Sequence, residues 1–524
     1  MKKSLSIALF PLVLASCNAN NSLDIPFTKD GIEIINDNYR NYYEIFVGSF
    51  ADSNGDKIGD LNGITQKLDY IQDLGYTGIW LTPIFKSHTY HKYDCDDYYQ
   101  IDPSFGSMDD FKNLLKEAHS RDIKVIIDLV MNHSSGSNQL FEDSKEAFAK
   151  SVKGESLTEK EEIMKDFYSF KLNQKDFGTR VSNGTTRLGV NFYYECNFDT
   201  NMPEFNFDNP HVYEYFNDVM KYYLELGVDG FRLDAIKYYY LNATEDNIDV
   251  LKKINTYAKS IKSDCYIVGE CFDGEAIVKE YAKSEIDSVF YFPSSQADGF
   301  IAKTYGYGGN YYDAYLRGIS KMESYTKNHI PAPFLSNHDV SRLNTDSDLV
   351  KNKFYYGLLS MLKGTTFTYY GDEIGMVGTL KPDQNVRIMM NWGEKNQYNC
   401  NHPKGTEKAV YPNGSVESQI DDPLSQLNYY KKANWLRNKY PSISRSNMID
   451  YYEDEENSLI IIDKEYKDEK IGILINFNVD QKVEISLEET KYSQVIDYLL
   501  VDETKPELIH NKLTIPSKGI AILK

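Results

Sequence analysis

At 524 residues the chain is too long for one ordinary domain and has room for one large unit plus one or two smaller ones. A hydrophobic fraction of 41% and a charged fraction of 26% are those of a folded, soluble protein. The net charge of −21 excludes a nucleic-acid binder, because no surplus of Lys and Arg is present to neutralise phosphates, and it suits a neutral substrate and bound cations.

The chain opens with Lys2 and Lys3 and an apolar run from Leu5 to Leu14, which is too short to cross a bilayer as a mature helix. Leu14-Ala15-Ser16-Cys17 follows and resembles a bacterial lipobox. Residues 1–16 are therefore expected to be a lipoprotein signal peptide. Cys17 is expected to carry the lipid that anchors an exported protein to a membrane of the cell envelope. Residues 17–41 are polar and Asn-rich and read as a tether. From residue 42 apolar strands alternate with amphipathic helices. Tyr43–Phe50, Gly78–Pro83 and Val125–Val130 read as strands, and the stripes Ile64/Leu68/Ile71/Leu74 and Phe111/Leu114/Leu115/Ala118 as helices. Residues 134–207 break this rhythm with a long polar insertion. A helix carrying Val212, Phe216, Val219 and Tyr223 restores it, and further strands end at Asp234, at Glu270 and near residues 292, 336 and 370. Eight strand–helix units predict an α/β fold, a (β/α)8 barrel over 42–133 and 208–438 with its site at the strand C-termini. Short β-rich runs from residue 439 to 524 predict a small C-terminal all-β domain. Five cysteines beyond Cys17, without paired spacing, imply buried free thiols rather than a disulfide framework.

Three acids stand where a strand stops and a loop begins: Asp234 in Gly230–Lys237, Glu270 after Gly269, and Asp339 in Ser336-Asn337-His338-Asp339. Delivered from separate strands, they suggest a cleft for carbohydrate chemistry. Arg232 precedes Asp234 by two residues, so on a strand both side chains point one way, and a fixed cation there holds the acid ionised. The segment Asp52–Asp60 places oxygen donors at Asp52, Asn54, Asp56 and Asp60, with the Ile58 carbonyl between them. That is the logic of a calcium loop, without the Glu that closes an EF-hand.

These motifs carry a family resemblance. Asp128–His133, Met202–Asn206, Gly230–Lys237, Gly269-Glu270 and Asn337–Asp339, in this order, resemble glycoside hydrolase family 13, the α-amylase family. The resemblance implies the barrel, a domain B inserted at 134–207 after the third strand, and a C-terminal antiparallel β-sandwich. It implies Asp234 as nucleophile, Glu270 as acid/base and Asp339 as the acid gripping the sugar at the cleavage point. Tyr93, His133, Arg232, Lys237 and His338 are the set expected to hold the substrate. The loop at 52–60 recurs in relatives as a structural calcium site. A second family site maps onto Asn132, Glu204 and Tyr238, although Glu replaces the usual Asp and Tyr the usual His. No organic cofactor is implied. The activity expected is retaining hydrolysis of internal α-1,4 bonds of starch and maltooligosaccharides, because Lys237 resembles the α-amylase residue and relatives that cut α-1,6 bonds usually carry Asn there. An α-glucosidase or oligo-1,6-glucosidase, a neopullulanase-like enzyme, a transglycosylase and a silent glucan-binding protein are the alternatives.

Overall fold

A computed structural model describes residues 22–305, 311–343, 347–446, 450–454 and 456–524. Cys17 and the signal-peptide expectation lie outside the described residues. Eight parallel strands form the centre: β1 Asn41–Ile45, β2 Gly78–Leu81, β3 Lys124–Leu129, β4 Gly230–Leu233, β5 Tyr266–Gly269, β6 Ser288–Tyr291, β7 Ala332–Pro333 and β8 Thr366–Tyr369. Their order is β7-β6-β5-β4-β3-β2-β1-β8, and a parallel bridge between Phe334 and Phe367 brings the two edges together. β1 to β6 and β8 are buried along their whole length, which explains their near-continuous apolar runs. The barrel interior is a packed aromatic core rather than a pore. Tyr42 stacks between Tyr266 and Phe367, with centroids 5.5 and 5.0 Å away, and Trp80, Phe290 and Phe334 complete the filling.

The first strand ends earlier than expected. β1 stops at Ile45 and Val47–Phe50 forms a short helix. The reason is the loop that follows. Gly59 folds back so closely that a Cβ there would meet the Val47 carbonyl at 2.0 Å, and its amide donates to the Gly48 carbonyl. The next helical stripe splits into Leu61–Gln66 and Leu68–Asp73, with Lys67 between them.

The insertion after β3 holds helices Gln139–Val152 and Glu159–Met164 and a three-stranded antiparallel sheet, Phe170–Lys171, Asn191–Glu195 and Val181–Thr185. The helix Pro210–Leu226 then resumes the barrel, capped by Asn209 and ended by Gly227 at φ 109°. The C-terminal region holds two antiparallel sheets. One contains β9 Asp450–Asp454, β10 Leu459–Tyr466, β11 Glu469–Asn476, β13 Val495–Leu499 and β16 Ile520–Leu523. The other contains β12 Val483–Ser486, β14 Glu507–Ile509 and β15 Lys512–Ile515.

The stretch read as a tether is docked from Ser22 onward. Ser22 bridges Glu507, the Leu23 amide donates to the Pro506 carbonyl at 2.8 Å, and Lys505 pairs with Asp24 at 2.9 Å. Leu23 and Ile25 pack against the C-terminal core and Phe27 against the main core. Asp37 pairs with Arg445 at 2.8 Å. The Asn-rich composition hid these apolar and charged anchors. The five described cysteines are buried and free.

Candidate active site

The C-terminal ends of the strands surround an open cleft of about 600 Å³, lined among others by Tyr93, His133, Asp234, Glu270, Asp339 and Arg387. Asp234 follows β4 directly. Arg232, on the strand and fully buried, places Nη1 at 2.6 Å from Asp234 Oδ1 and 2.8 Å from Asp128 Oδ1, and Nη2 at 3.7 Å from Glu270 Oε2. One guanidinium thus touches all three carboxylates, a geometry a lysine could not reproduce. Ala235, at φ 48° in the left-handed region, aims its amide at Glu270 Oε2 at 2.9 Å. Glu270 and Asp234 are 8% and 7% exposed. Burial, followed by the charges of Asp234 and Asp339 against the pull of Arg232, pushes the Glu270 carboxyl up to about 8. Glu270 is therefore a protonated acid at neutral pH beside an acid that is tied to a cation.

Asp339 sits opposite. Burial opposes its ionisation, but His338 Nε2 at 2.8 Å and Arg387 Nη2 at 2.8 Å hold its carboxyl well below the usual range. The Tyr93 ring stacks on His338, with centroids 5.3 Å apart at 13°, and its hydroxyl donates to Asp128 Oδ2 at 2.8 Å. His133 lines the cleft, and among the described residues its buried Nε2 has no hydrogen-bond partner. Burial lowers its basicity.

Lys237 is held apart from this cluster. Its ammonium donates to the Phe272 carbonyl at 2.8 Å and pairs with Asp273 at 3.0 Å, tying the loop after β4 to the loop after β5. Several lining residues were missed in the sequence. Arg387 and Asp383 come from the loop after β8, and Phe198 and Phe272 line the cleft with exposed rings. Arg387 carries no strand-end signal, and its partner Asp339 lies 48 residues away.

The loop 52–60 is a compact Asx-rich turn. Asp52 accepts the amides of Asn54, Gly55 and Lys57, and Asp60 accepts from Ser53 and from the Gly63 amide, capping the next helix. Asn54 and Asp56 accept the amides of Asp56 and Ile58. Carboxylate oxygens retain acceptor sites beyond these bonds, so the donor set fits a hard cation. Among the described residues, no three His, Cys, Asp or Glu side chains converge as a ready-made cage. At the second position Asn132 Oδ1 is buried without a partner among the described residues, and Glu204, bridged through its backbone to His133, is pushed up to about 7 by burial and then by Glu195. An orphan oxygen and a desolvated carboxylate fit a cation there. Tyr238 rests on Phe198, 4.7 Å between ring centroids.

A family model described as the alpha amylase catalytic domain matches residues 44–446. Over 497 residues the chain is 34% identical to Alpha-amylase 3 of Dictyoglomus thermophilum, covering 93% of each. It is 27% identical over 539 residues to the oligo-1,6-glucosidase of Bacillus cereus, covering 86% of this chain and 93% of that one. Among solved structures, Eubacterium rectale Amy13B superposes with a TM-score of 0.86 at 35% identity, covering 95% of this chain and 97% of that one. With the barrel, the C-terminal sheets and the cleft already in view, the chain belongs to the α-amylase family and is a glycoside hydrolase.

Proposed function

We propose that this enzyme hydrolyses internal α-1,4-glucosidic bonds of starch and maltooligosaccharides with retention of configuration. The observation that carries the chemistry is the shared guanidinium: Arg232 ties down Asp234 while Glu270, at about 8, keeps its proton. Asp234 Oδ attacks the anomeric carbon as Glu270 gives its proton to the departing glycosidic oxygen. A water then loses a proton to Glu270 and adds to the anomeric carbon, releasing Asp234. Asp339 and His133 grip hydroxyls of the sugar being cut, and Tyr93 lies beneath it. The α-1,4 preference is supported by the likeness to Alpha-amylase 3 over nearly the whole of both chains, and the open cleft suits a chain passing through. The contacts of Lys237 give it a structural task, so its presence weighs less on the linkage than its motif suggested.

A product time course separates this reading from an oligo-1,6-glucosidase. Mixed short maltooligosaccharides from starch and from end-blocked maltoheptaose, with isomaltose untouched, are expected. Glucose from isomaltose with the blocked substrate intact would overturn it. Calcium in the 52–60 loop, a second cation at Asn132 and Glu204, and a lipid on Cys17 are part of the same proposal.

A further inference from the structure

We infer that Glu44 is a positioning residue for the hydrolysis: it fixes His338 as a cation, and through it the Asp339 carboxylate and the Tyr93 hydroxyl. Glu44 lies on β1, 1% exposed, and shares no sequence motif with the acids. Its Oε1 stands 2.6 Å from His338 Nδ1 and also accepts the His338 amide at 3.3 Å. The other ring nitrogen, Nε2, stands 2.8 Å from Asp339 Oδ2 and 2.6 Å from the Tyr93 hydroxyl. With Glu44 and Asp339 both ionised, the histidine between them donates from both nitrogens, because a lone pair on either would face a negative oxygen; burial pushes the Glu44 carboxyl up, and the hydrogen bonds and charge of His338 pull it back. Once Nε2 carries a proton, the Tyr93 hydroxyl accepts from it and sends its own proton to Asp128 Oδ2. Asp128 in turn meets Arg232 Nη1 at 2.8 Å, and Arg232 meets Asp234 at 2.6 Å. A continuous buried chain therefore runs from β1 to the proposed nucleophile. A neutral His338 would reverse the Tyr93 hydrogen bond and leave Asp128 without that donor.

The groups facing His338 support the cationic form. Glu44 comes from β1, Asp339 from the residue beside it, and Asp128 from β3. The Trp80 ring from β2 meets His338 in a T-shaped contact, 5.6 Å between ring centroids, and Arg387 donates to the His338 carbonyl at 3.0 Å. Burial alone would strip the proton, but Asp339 and Glu44 together raise the imidazole to about 9.

The decisive variant is Glu44→Gln, which keeps an oxygen to accept from Nδ1 and removes the charge. The alkaline limb of kcat/KM in the native enzyme is expected from Glu270, near 8. In Glu44→Gln the limb should move down by about one pH unit or more, as His338 now loses its proton first. An unmoved limb would show that Glu44 only fills space. This arm rests on the hydrolytic reading above. A second arm, on the unaltered protein, does not: ¹⁵N-histidine labelling followed by NMR titration should reveal one ring doubly protonated up to about pH 9. If no histidine keeps both protons above about pH 7.5, the inference fails, whatever the substrate and whether or not the variant folds.

Discussion

Glu270 and Asp234 share one guanidinium, yet the two acids meet it differently. Asp234 lies against Nη1, whereas Glu270 is 3.7 Å from Nη2 and, among the described residues, takes its only close hydrogen bond from the Ala235 amide. That asymmetry lets burial dominate at Glu270 and places the pH dependence on it. As pH rises through about 8, Glu270 loses the proton that the leaving oxygen needs, so kcat/KM should fall on the alkaline side with that midpoint. Glu270→Gln should lower kcat/KM on maltooligosaccharides by about 10²–10⁴-fold and remove the alkaline limb near 8, leaving only a later fall as His338 titrates near 9, with much of the rate returning for activated aryl glycosides, whose leaving groups need no proton. Equal losses on both substrates would move the acid role elsewhere. Asp234 and Glu270 were readable in the sequence because each directly follows a strand, whereas β7 stops at Pro333 and Asp339 was legible only through its motif. Glu44 and Arg387 were not, because their partners lie 294 and 48 residues distant and only the closed barrel brings them together.

The barrel strands were legible as apolar runs because parallel strands are buried on both faces. The missed breaks arise where a loop acts on a strand, as Gly59 does on Val47. In the loop itself, five oxygen donors within nine residues should bind calcium: chelation should lower Tm, calcium should restore it, and Asp56→Ala should abolish the response. A Tm indifferent to chelator would refute the site. A second element holds a buried base. Lys464 on β10 is 1% exposed, its ammonium has no hydrogen-bond partner among the described residues, and it lies 5.3 Å from the centroid of the Tyr312 ring. Burial, then Arg437 and Lys363, lower it from 10.5 to about 7. Between those values the unfolded chain binds a proton that the native one lacks, so folding stability rises with pH across that window and the deficit is complete below it. Lys464→Met should raise Tm at neutral pH by about 2 °C or more and flatten that rise. A lower Tm at neutral pH would mean the amine has a partner in solution.

Across the whole molecule, barrel, insertion and C-terminal sheets were foreseeable from changes of period. The docked N-terminal segment was not, since its apolar anchors Leu23, Ile25 and Phe27 are spaced singly among polar residues. The proposed anchor can be tested on the full chain: labelled palmitate should enter the wild-type protein and not Cys17→Ser, and the variant should leave the membrane fraction. Label in both would place any lipid elsewhere.

The docking of Ser22 on the C-terminal sheets also sets a length. From Cys17 to Ser22 the chain advances five residues, a reach of roughly 17 Å when fully extended. A lipid on Cys17 would therefore hold the enzyme on a short leash, its C-terminal sheets kept beside the bilayer and its freedom to turn restricted. Lengthening that stretch with a flexible insert should change the rate on granular starch presented to whole cells while leaving the rate on soluble maltoheptaose alone.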